Sequence, residues 1–161
     1  MRKASAPGAI VGIWQDGRAP YVRTFGVRNV ATREPMAPDL YMRIGSTSKS
    51  FTTTAVLLLA DQGKLALDDP VDRYVTGVPS GNQITLRQAL YGLAIENQNG
   101  WIGHNGNIMS YMAYPYYLPS EGITMVVLLN SGVDIPGSWA MMQDITRIIT
   151  PDNLWPGLPK Q

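Results

Sequence analysis

The run ITMVVLL, residues 123–129, constrains this chain most, because from Met125 to Leu129 it is apolar without alternation. A strand that buries one face alternates apolar and polar side chains. An unbroken apolar run predicts instead a central strand covered on both faces. Such a strand needs neighbours, and the sequence supplies them. SYMAYPYYL precedes it across the turn PSEG. AIVGIW (9–14) and YVRTFG (21–26) flank QDGRAP, whose Asp16-Gly17 step favours a tight reversal. LYMRI (40–44), YGLAIE (91–96) and GWIGH (100–104) read as further strands.

Two stretches have helical spacing. From Thr47 onward, Phe51, Ala55, Leu58, Leu59 and Gln62 recur near i, i+4, i+7, i+8 and i+11, and Gly63 offers a C-terminal stop. Val56 and Leu57 widen the apolar surface, which predicts a helix buried on most sides. SWAMMQDITRII has the same period and ends ahead of Pro151. Between them, LDDPVDRYV supplies a short helical turn and Thr85 can cap TLRQAL. The order of strands, helix, strands and terminal helix predicts an α+β fold, an antiparallel sheet covered by helices. A chain of 161 residues predicts one domain, 1–161, with a real core.

Composition narrows the chemistry. A formal net charge of +1 gives no electrostatic reason to expect nucleic acid as a partner. With no cysteine, disulfides, thiolate metal sites and Cys nucleophiles are excluded, and a single histidine makes a zinc site improbable. No metal or other cofactor is expected. No apolar run approaches the roughly 18 residues of a membrane span. MRKASAPGAI has basic residues but no apolar core, so a signal peptide is not expected in this chain.

Ser46 stands three residues ahead of Lys49 in IGSTSKSF. Residues three apart on a helix share a face, so the lysine amine could reach the serine hydroxyl. A serine hydroxyl is a poor nucleophile until a base removes its proton, and a lysine can act as that base if burial lowers its pKa. Backbone N–H groups at the helix start would stabilise a developing oxyanion. The other reading is two polar residues that cap a core helix, and the four residues alone fit both.

The wider line IGSTSKSFTTTAVLLLADQGKLALDDPVDRYV, with ITLRQAL after it, resembles the serine-active penicillin-recognising superfamily. Class C β-lactamases, D-Ala-D-Ala carboxypeptidases and related esterases are the members it is most similar to. The likeness includes Gly45 before the serine, Phe51-Thr52 after the lysine, GKL and LDDPV. Further on, GWIGHNGNIMSY and ITMVVLLNSG resemble that family's last catalytic strand and its neighbour, with His104-Asn105-Gly106 matching its Lys-Thr-Gly or His-x-Gly element.

The resemblance implies an α/β sandwich, an antiparallel sheet flanked by N- and C-terminal helices with a buried helix carrying the nucleophile. It implies that Ser46 is acylated, that Lys49 assists proton transfer, and that the backbone N–H groups of Ser46 and Asn107 form the oxyanion hole. His104, Asn105 and Gly106 would line the substrate channel; a locally hydrogen-bonded turn histidine is the other reading of His104. The substrates implied are β-lactams, small esters or D-Ala-D-Ala peptides, in a periplasmic or secreted setting.

One part of the pattern is missing. In that family ITLRQAL leads into a large helical region carrying a Tyr-x-Asn element, whereas here Leu90 is followed at once by YGLAIENQNGWIGHNG, and no Tyr-x-Asn triplet occurs. The expectation is a core lacking the all-helical domain, with a deletion junction near 90–91. Turnover would then be weak, or the chain would be a non-catalytic remnant that binds a partner or a D-Ala-D-Ala peptide. Tyr91 and Tyr111 are candidates to replace the lost tyrosine. Surface exposed by the deletion, including the aromatic run of MSYMAYPYYLPSEG, would favour homo-oligomers; ordinary burial of that run in strands is the alternative, with Pro115 marking an edge or bulge.

Overall fold

The computed structural model describes residues 5–90, 94–132 and 135–157. In chain order its elements are β1 (Gly8–Gln15), β2 (Tyr21–Gly26), α1 (Ser48–Asp61), α2 (Leu86–Ala89), β3 (Glu96–Gln98), β4 (Trp101–Gly103), β5 (Gly106–Ile108), β6 (Tyr111–Leu118), β7 (Ile123–Leu129) and α3 (Ile135–Ile149). The chain forms two compact units, one made of the residues up to Thr47 with those from Glu96 onward, the other of Ser48–Ile95. Among the described residues no helix is long and apolar enough to cross a membrane.

The first unit is an antiparallel sheet in the order β2-β1-β7-β6-β4-β3, with β5 beside β6. The Asp16-Gly17 reversal forms as the sequence predicts: Gly17 has φ +73° and the N–H of Arg18 donates to the Gln15 carbonyl at 3.1 Å. β7 is central, between β1 and β6. Its Ile123, Met125, Val127 and Leu129 are fully buried, while Thr124, Val126 and Leu128 on the other face are half-buried. One face of the strand is therefore sealed and the other only partly covered.

The sealing layer is α3 and the chain after it. Met141 and Met142 pack with Tyr114, Tyr116, Trp101 and Trp155 into one core. A fully buried side chain such as Met142 contributes on the order of 1.5–3 kcal/mol through the water it excludes. Two polar tips in this core find partners, while Trp155 Nε1 is buried without one among the described residues. The Tyr114 hydroxyl shares a 2.7 Å hydrogen bond with Ser138 Oγ, and Trp101 Nε1 donates to the Asn153 carbonyl at 2.9 Å. At the β1–β2 end of the same face an apolar cavity of about 650 Å³ is lined by Val11, Ile13, Phe25, Ile145 and Ile149.

Two expectations are corrected here. LYMRI forms no strand; residues 40–44 are irregular and run into a 3-10 turn, Gly45–Thr47. The N-terminal helix expected ahead of the sheet would fall on residues before β1, of which 1–4 lie outside the described residues. The aromatic run is not an exposed patch: Met112, Ala113, Tyr114, Tyr116 and Leu118 are core residues of β6, and only Tyr117 of that strand is exposed. Pro115 is accommodated without a bulge or an outer-edge position. Its carbonyl points toward Gly103, so its nitrogen faces the gap between β4 and β5, where no ladder bond is required of it.

In the second unit, α1 ends as predicted. Gly63 has φ +67°, and the N–H groups of Lys64 and Gly63 bond the carbonyls of Leu59 and Ala60, the paired bonds of a Schellman cap. α2 starts on a complete capping box between Thr85 and Gln88. The expected burial of α1 is not found. Only Thr53 is buried in it, while Phe51 is 68% and Leu58 56% exposed. The physical reason lies in the unit itself: besides α1 its described residues form short 3-10 turns and the four-residue α2, too little apolar mass to cover a 14-residue helix.

Candidate active site

Between β4 and β5 the chain has two residues outside the ladder, His104 and Asn105. This bend and β5 lie against the segment Ile44–Thr47, and two glycines allow the approach. A Cβ at Gly106 would overlap the Ile44 carbonyl oxygen and stand 2.9 Å from Thr47 Oγ1. A Cβ at Gly45, which has φ +54°, would stand 2.9 Å from the Asn107 nitrogen. Both contacts are tighter than real side chains make, so main chain meets main chain with no room for a substituent. Thr47 fastens the junction. It is buried, its Oγ1 donates to the His104 carbonyl at 3.1 Å, and its N–H donates to the Ile44 carbonyl at 3.2 Å.

The hairpin register sets where the Asn107 N–H points. Ile108 pairs with Tyr111 across the two-residue turn Met109-Ser110, so Asn107 pairs with Met112 one step further along. In an antiparallel ladder hydrogen-bonded and non-bonded pairs alternate, and the pair closing a two-residue turn is the bonded one. The Asn107 N–H therefore points away from β6, toward the side where Gly45 approaches.

The predicted residues fall into two groups. Gly106 and Asn107 come together with Gly45 and Thr47, the residues on either side of half-buried Ser46. Lys49 lies in the first turn of α1, in the second unit, and is exposed rather than buried. His104 is 6% exposed, with Nδ1 2.5 Å from the Asn105 carbonyl oxygen, which is the locally bonded arrangement of a turn histidine. Asn105 is half-buried and Asn107 exposed. Tyr111 is half-buried at the start of β6, and Tyr91 lies outside the described residues. Among the described residues no three His, Cys, Asp or Glu side chains gather as metal ligands would.

Sequence reasoning missed the role of Thr47, whose only signal is a small hydroxyl residue between the two motif positions. It also missed Tyr116. This phenol is buried, donates to Glu96 Oε2 at 3.2 Å and lies edge-on to Trp155, with 4.7 Å between ring centroids. Burial pushes its pKa far above the ordinary phenol value, and the Glu96 charge and hydrogen bond add to the shift. The backbone N–H of Asn105 acts in the opposite direction by hydrogen-bonding the oxygen.

Comparison with known proteins relates the chain to a family and to solved folds. The Beta-lactamase family model matches residues 1–91. The human mitochondrial serine beta-lactamase-like protein LACTB is 42% identical over 77 residues, which is 48% of this chain and 14% of that protein. The chain thus matches about a seventh of that relative's length. Among solved structures, D-amino acid amidase from Ochrobactrum anthropi SV3 complexed with L-phenylalanine superposes with a TM-score of 0.75 at 11% identity, over 91% of this chain and 94% of that one. The octameric penicillin-binding protein homologue from Pyrococcus abyssi gives 0.75 at 15% identity, over 96% and 76%. At these identities the superpositions show a shared fold.

Proposed function

The chain belongs to the Beta-lactamase family, and from that membership we propose that it is a serine hydrolase of the β-lactamase, D-Ala-D-Ala peptidase and esterase kind, acylated at Ser46. The observation that carries the proposal is the contact of main chain with main chain at Gly45, Gly106 and Asn107, one residue from Ser46. In the reaction, Ser46 Oγ attacks the carbonyl carbon of a β-lactam or small ester and its proton passes to Lys49. The N–H groups of Ser46 and Asn107 hold the oxyanion. Collapse breaks the C–N or C–O bond, the leaving atom takes the proton back, and the acyl group stays on Ser46. Water then releases it.

Release is the weak step. The family's second proton-transfer residue has no counterpart in a Tyr-x-Asn triplet, and loss of such a group typically costs about 10²–10⁴-fold. The family match stops at residue 91, which supports a junction near 90–91 where the helical half is missing. A long-lived acyl-enzyme is therefore expected, and the substrate class fits a periplasmic or secreted setting. Incubation with a fluorescent penicillin, read by intact mass, should give a covalent adduct on the wild type and none on Ser46→Ala. An adduct that survives the alanine change, or no adduct at all, rejects the assignment.

A second reading, a non-catalytic domain that binds a second copy of itself, is favoured by the exposed apolar face of α1. Phe51 and Leu58 are one i, i+7 step apart on that face. Sedimentation velocity distinguishes it: dimer that dissociates on Phe51→Ser, with no penicillin adduct, would favour this reading, and a monomer at all concentrations would eliminate it.

A further inference from the structure

We propose that the apolar groove beside α3 binds a single-chain anionic amphiphile, a long-chain carboxylate. Its tail lies along β1, and its head meets Arg18 and Arg23 at the β1–β2 reversal. The site does not rest on the acylation of Ser46, and neither assignment needs the other.

Strand register builds the groove. Ala9 pairs with Phe25, Val11 with Arg23 and Ile13 with Tyr21, so these side chains project from one face of the sheet. β1 supplies the floor and β2 the outer wall. The opposite wall is α3, where Ile145, Ile148 and Ile149 fall at i, i+3 and i+4. β2 ends the sheet on this side, and the rim stays apolar and open: Ile148 is 82%, Tyr21 44% and Phe25 41% exposed. Single apolar side chains at a surface are ordinary, but three around one cavity of about 650 Å³ make a continuous apolar site. That volume lies within the range of small-molecule sites, about 300–1,000 Å³.

Dimensions select the occupant. The floor runs from Ala9 to Gln15, about 20 Å at the rise of a strand. A volume of about 650 Å³ drawn out over that length is a slot roughly 6 Å across. A helix with its side chains needs about 10–12 Å, so a helix of another chain is too wide. One polymethylene chain, roughly 4 Å thick at carbon contact distance, fits.

Charge sets the direction. The lining is apolar at the Ala9–Phe25 end, and its polar members, Gln15 and Arg18, stand at the reversal. Arg23 leans the same way: its guanidinium carbon lies 5.1 Å from the centre of the Tyr21 ring, the ring next to the reversal. Its Nη1 donates to the Val22 carbonyl at 2.8 Å. Among the described residues neither Arg18 nor Arg23 has a carboxylate in ion-pair range. The acid of the turn, Asp16, is directed at Gly122 and does not line the groove. An apolar slot with two guanidinium groups at one end, and no acid in its lining, is complementary to a carboxylate on an alkyl tail.

The test is an NMR titration of the full chain, labelled on isoleucine and leucine methyls. The probes are laurate, decanoate, uncharged dodecyl maltoside and dodecyltrimethylammonium, each below its critical micelle concentration. Laurate should saturate at one per chain and shift the methyls of Ile13, Ile145, Ile148 and Ile149, leaving Ile44 and Ile102 in place. Decanoate, with a shorter tail, should bind about 4- to 16-fold more weakly, as loss of buried methylene predicts. Dodecyl maltoside should bind about tenfold more weakly than laurate, and dodecyltrimethylammonium more weakly still. Arg18→Glu combined with Arg23→Glu should cost laurate at least about tenfold and leave dodecyl maltoside within about twofold. Absence of saturation overturns the proposal, as does equal binding of laurate and dodecyltrimethylammonium. Laurate shifts at Leu58 and Leu59 of α1 in place of the four isoleucines overturn the location. A loss shared equally by laurate and dodecyl maltoside in the double variant overturns the head-group assignment. Shifts of the same four methyls with protein concentration alone would show a second copy in the groove, and overturn it too. Failure of penicillin to acylate Ser46 would reject the proposed function and leave each of these outcomes as decisive as before.

Discussion

Replacing Gly106 by alanine tests the geometry on which the site depends. The added methyl would overlap the Ile44 carbonyl oxygen and stand 2.8 Å from its carbon and 2.9 Å from Thr47 Oγ1. Two of these atoms are main chain, and the third is tied to His104 by a 3.1 Å hydrogen bond. Neither side can swing away as a long side chain would, so β5 and the serine-bearing turn must separate by on the order of 1 Å. Overpacking of this kind costs about 1–3 kcal/mol. At roughly 2–4 °C per kcal/mol for a chain of this size, Tm should fall by about 2–12 °C. Acylation should fall further in proportion, by about 100-fold, because the Asn107 donor moves with β5. Gly17→Ala is the control. Its φ of +73° is unfavourable to alanine, by about 1–2 kcal/mol, but nothing lies within 4 Å of the new Cβ. It should lose comparable Tm in differential scanning calorimetry and keep the wild-type rate with fluorescent penicillin. A Gly106→Ala protein acylated as fast as Gly17→Ala would refute the claim that this close approach builds the site.

Three further outcomes are expected from the hydrogen bonds and charges. Thr47→Val keeps the shape and removes the donor to the buried His104 carbonyl, so urea unfolding should show a loss of about 1–3 kcal/mol, largely restored in Thr47→Ser. Thr85→Ala breaks the capping box of α2, at about 0.5–2 kcal/mol, with faster amide exchange confined to the first turn of that helix. Asp69 is held below the ordinary carboxylate value of 3.8, first by its hydrogen bond from Tyr74 and then by the Ala66 N–H. A depressed folded pKa gives stability that is present above the unfolded value and is lost as pH falls through the folded one. Asp69→Asn should therefore melt below wild type at neutral pH, and the gap should close as pH falls below 3.8 and through the lower folded value.

Much of the fold was legible because its signals are local. The central position of ITMVVLL follows from five consecutive apolar residues, and the β1–β2 reversal from Asp16-Gly17, both readable within one window. The caps of α1 and α2 are as local, since Gly63 and Thr85 act on carbonyls and amides within a turn. LYMRI misled for the opposite reason. Its composition suits a strand, but residues 40–44 continue into the turn at Gly45 and pair with no strand.

The site divides along the same line. Ser46 and Lys49 could be picked out from a spacing of three, whereas the approaches of Gly45 to Asn107 and of Gly106 to Ile44 join distant parts of the chain, and neither glycine announces its neighbour. Glu96, Gly103 and Tyr116 are equally silent in the sequence, because a row across three strands exists only once register is set. Long-range contacts carry the geometry here, and short-range ones carry the recognisable motif. In α1 the motif survives without the contacts. Its apolar spacing records what the helix is prepared to bury, but burial requires a second surface, and the described residues of the Ser48–Ile95 unit add only short 3-10 turns and a four-residue helix. Phe51 and Leu58 consequently meet water at positions whose period specifies a core. An amphipathic pattern is thus a statement about a partner as much as about a helix.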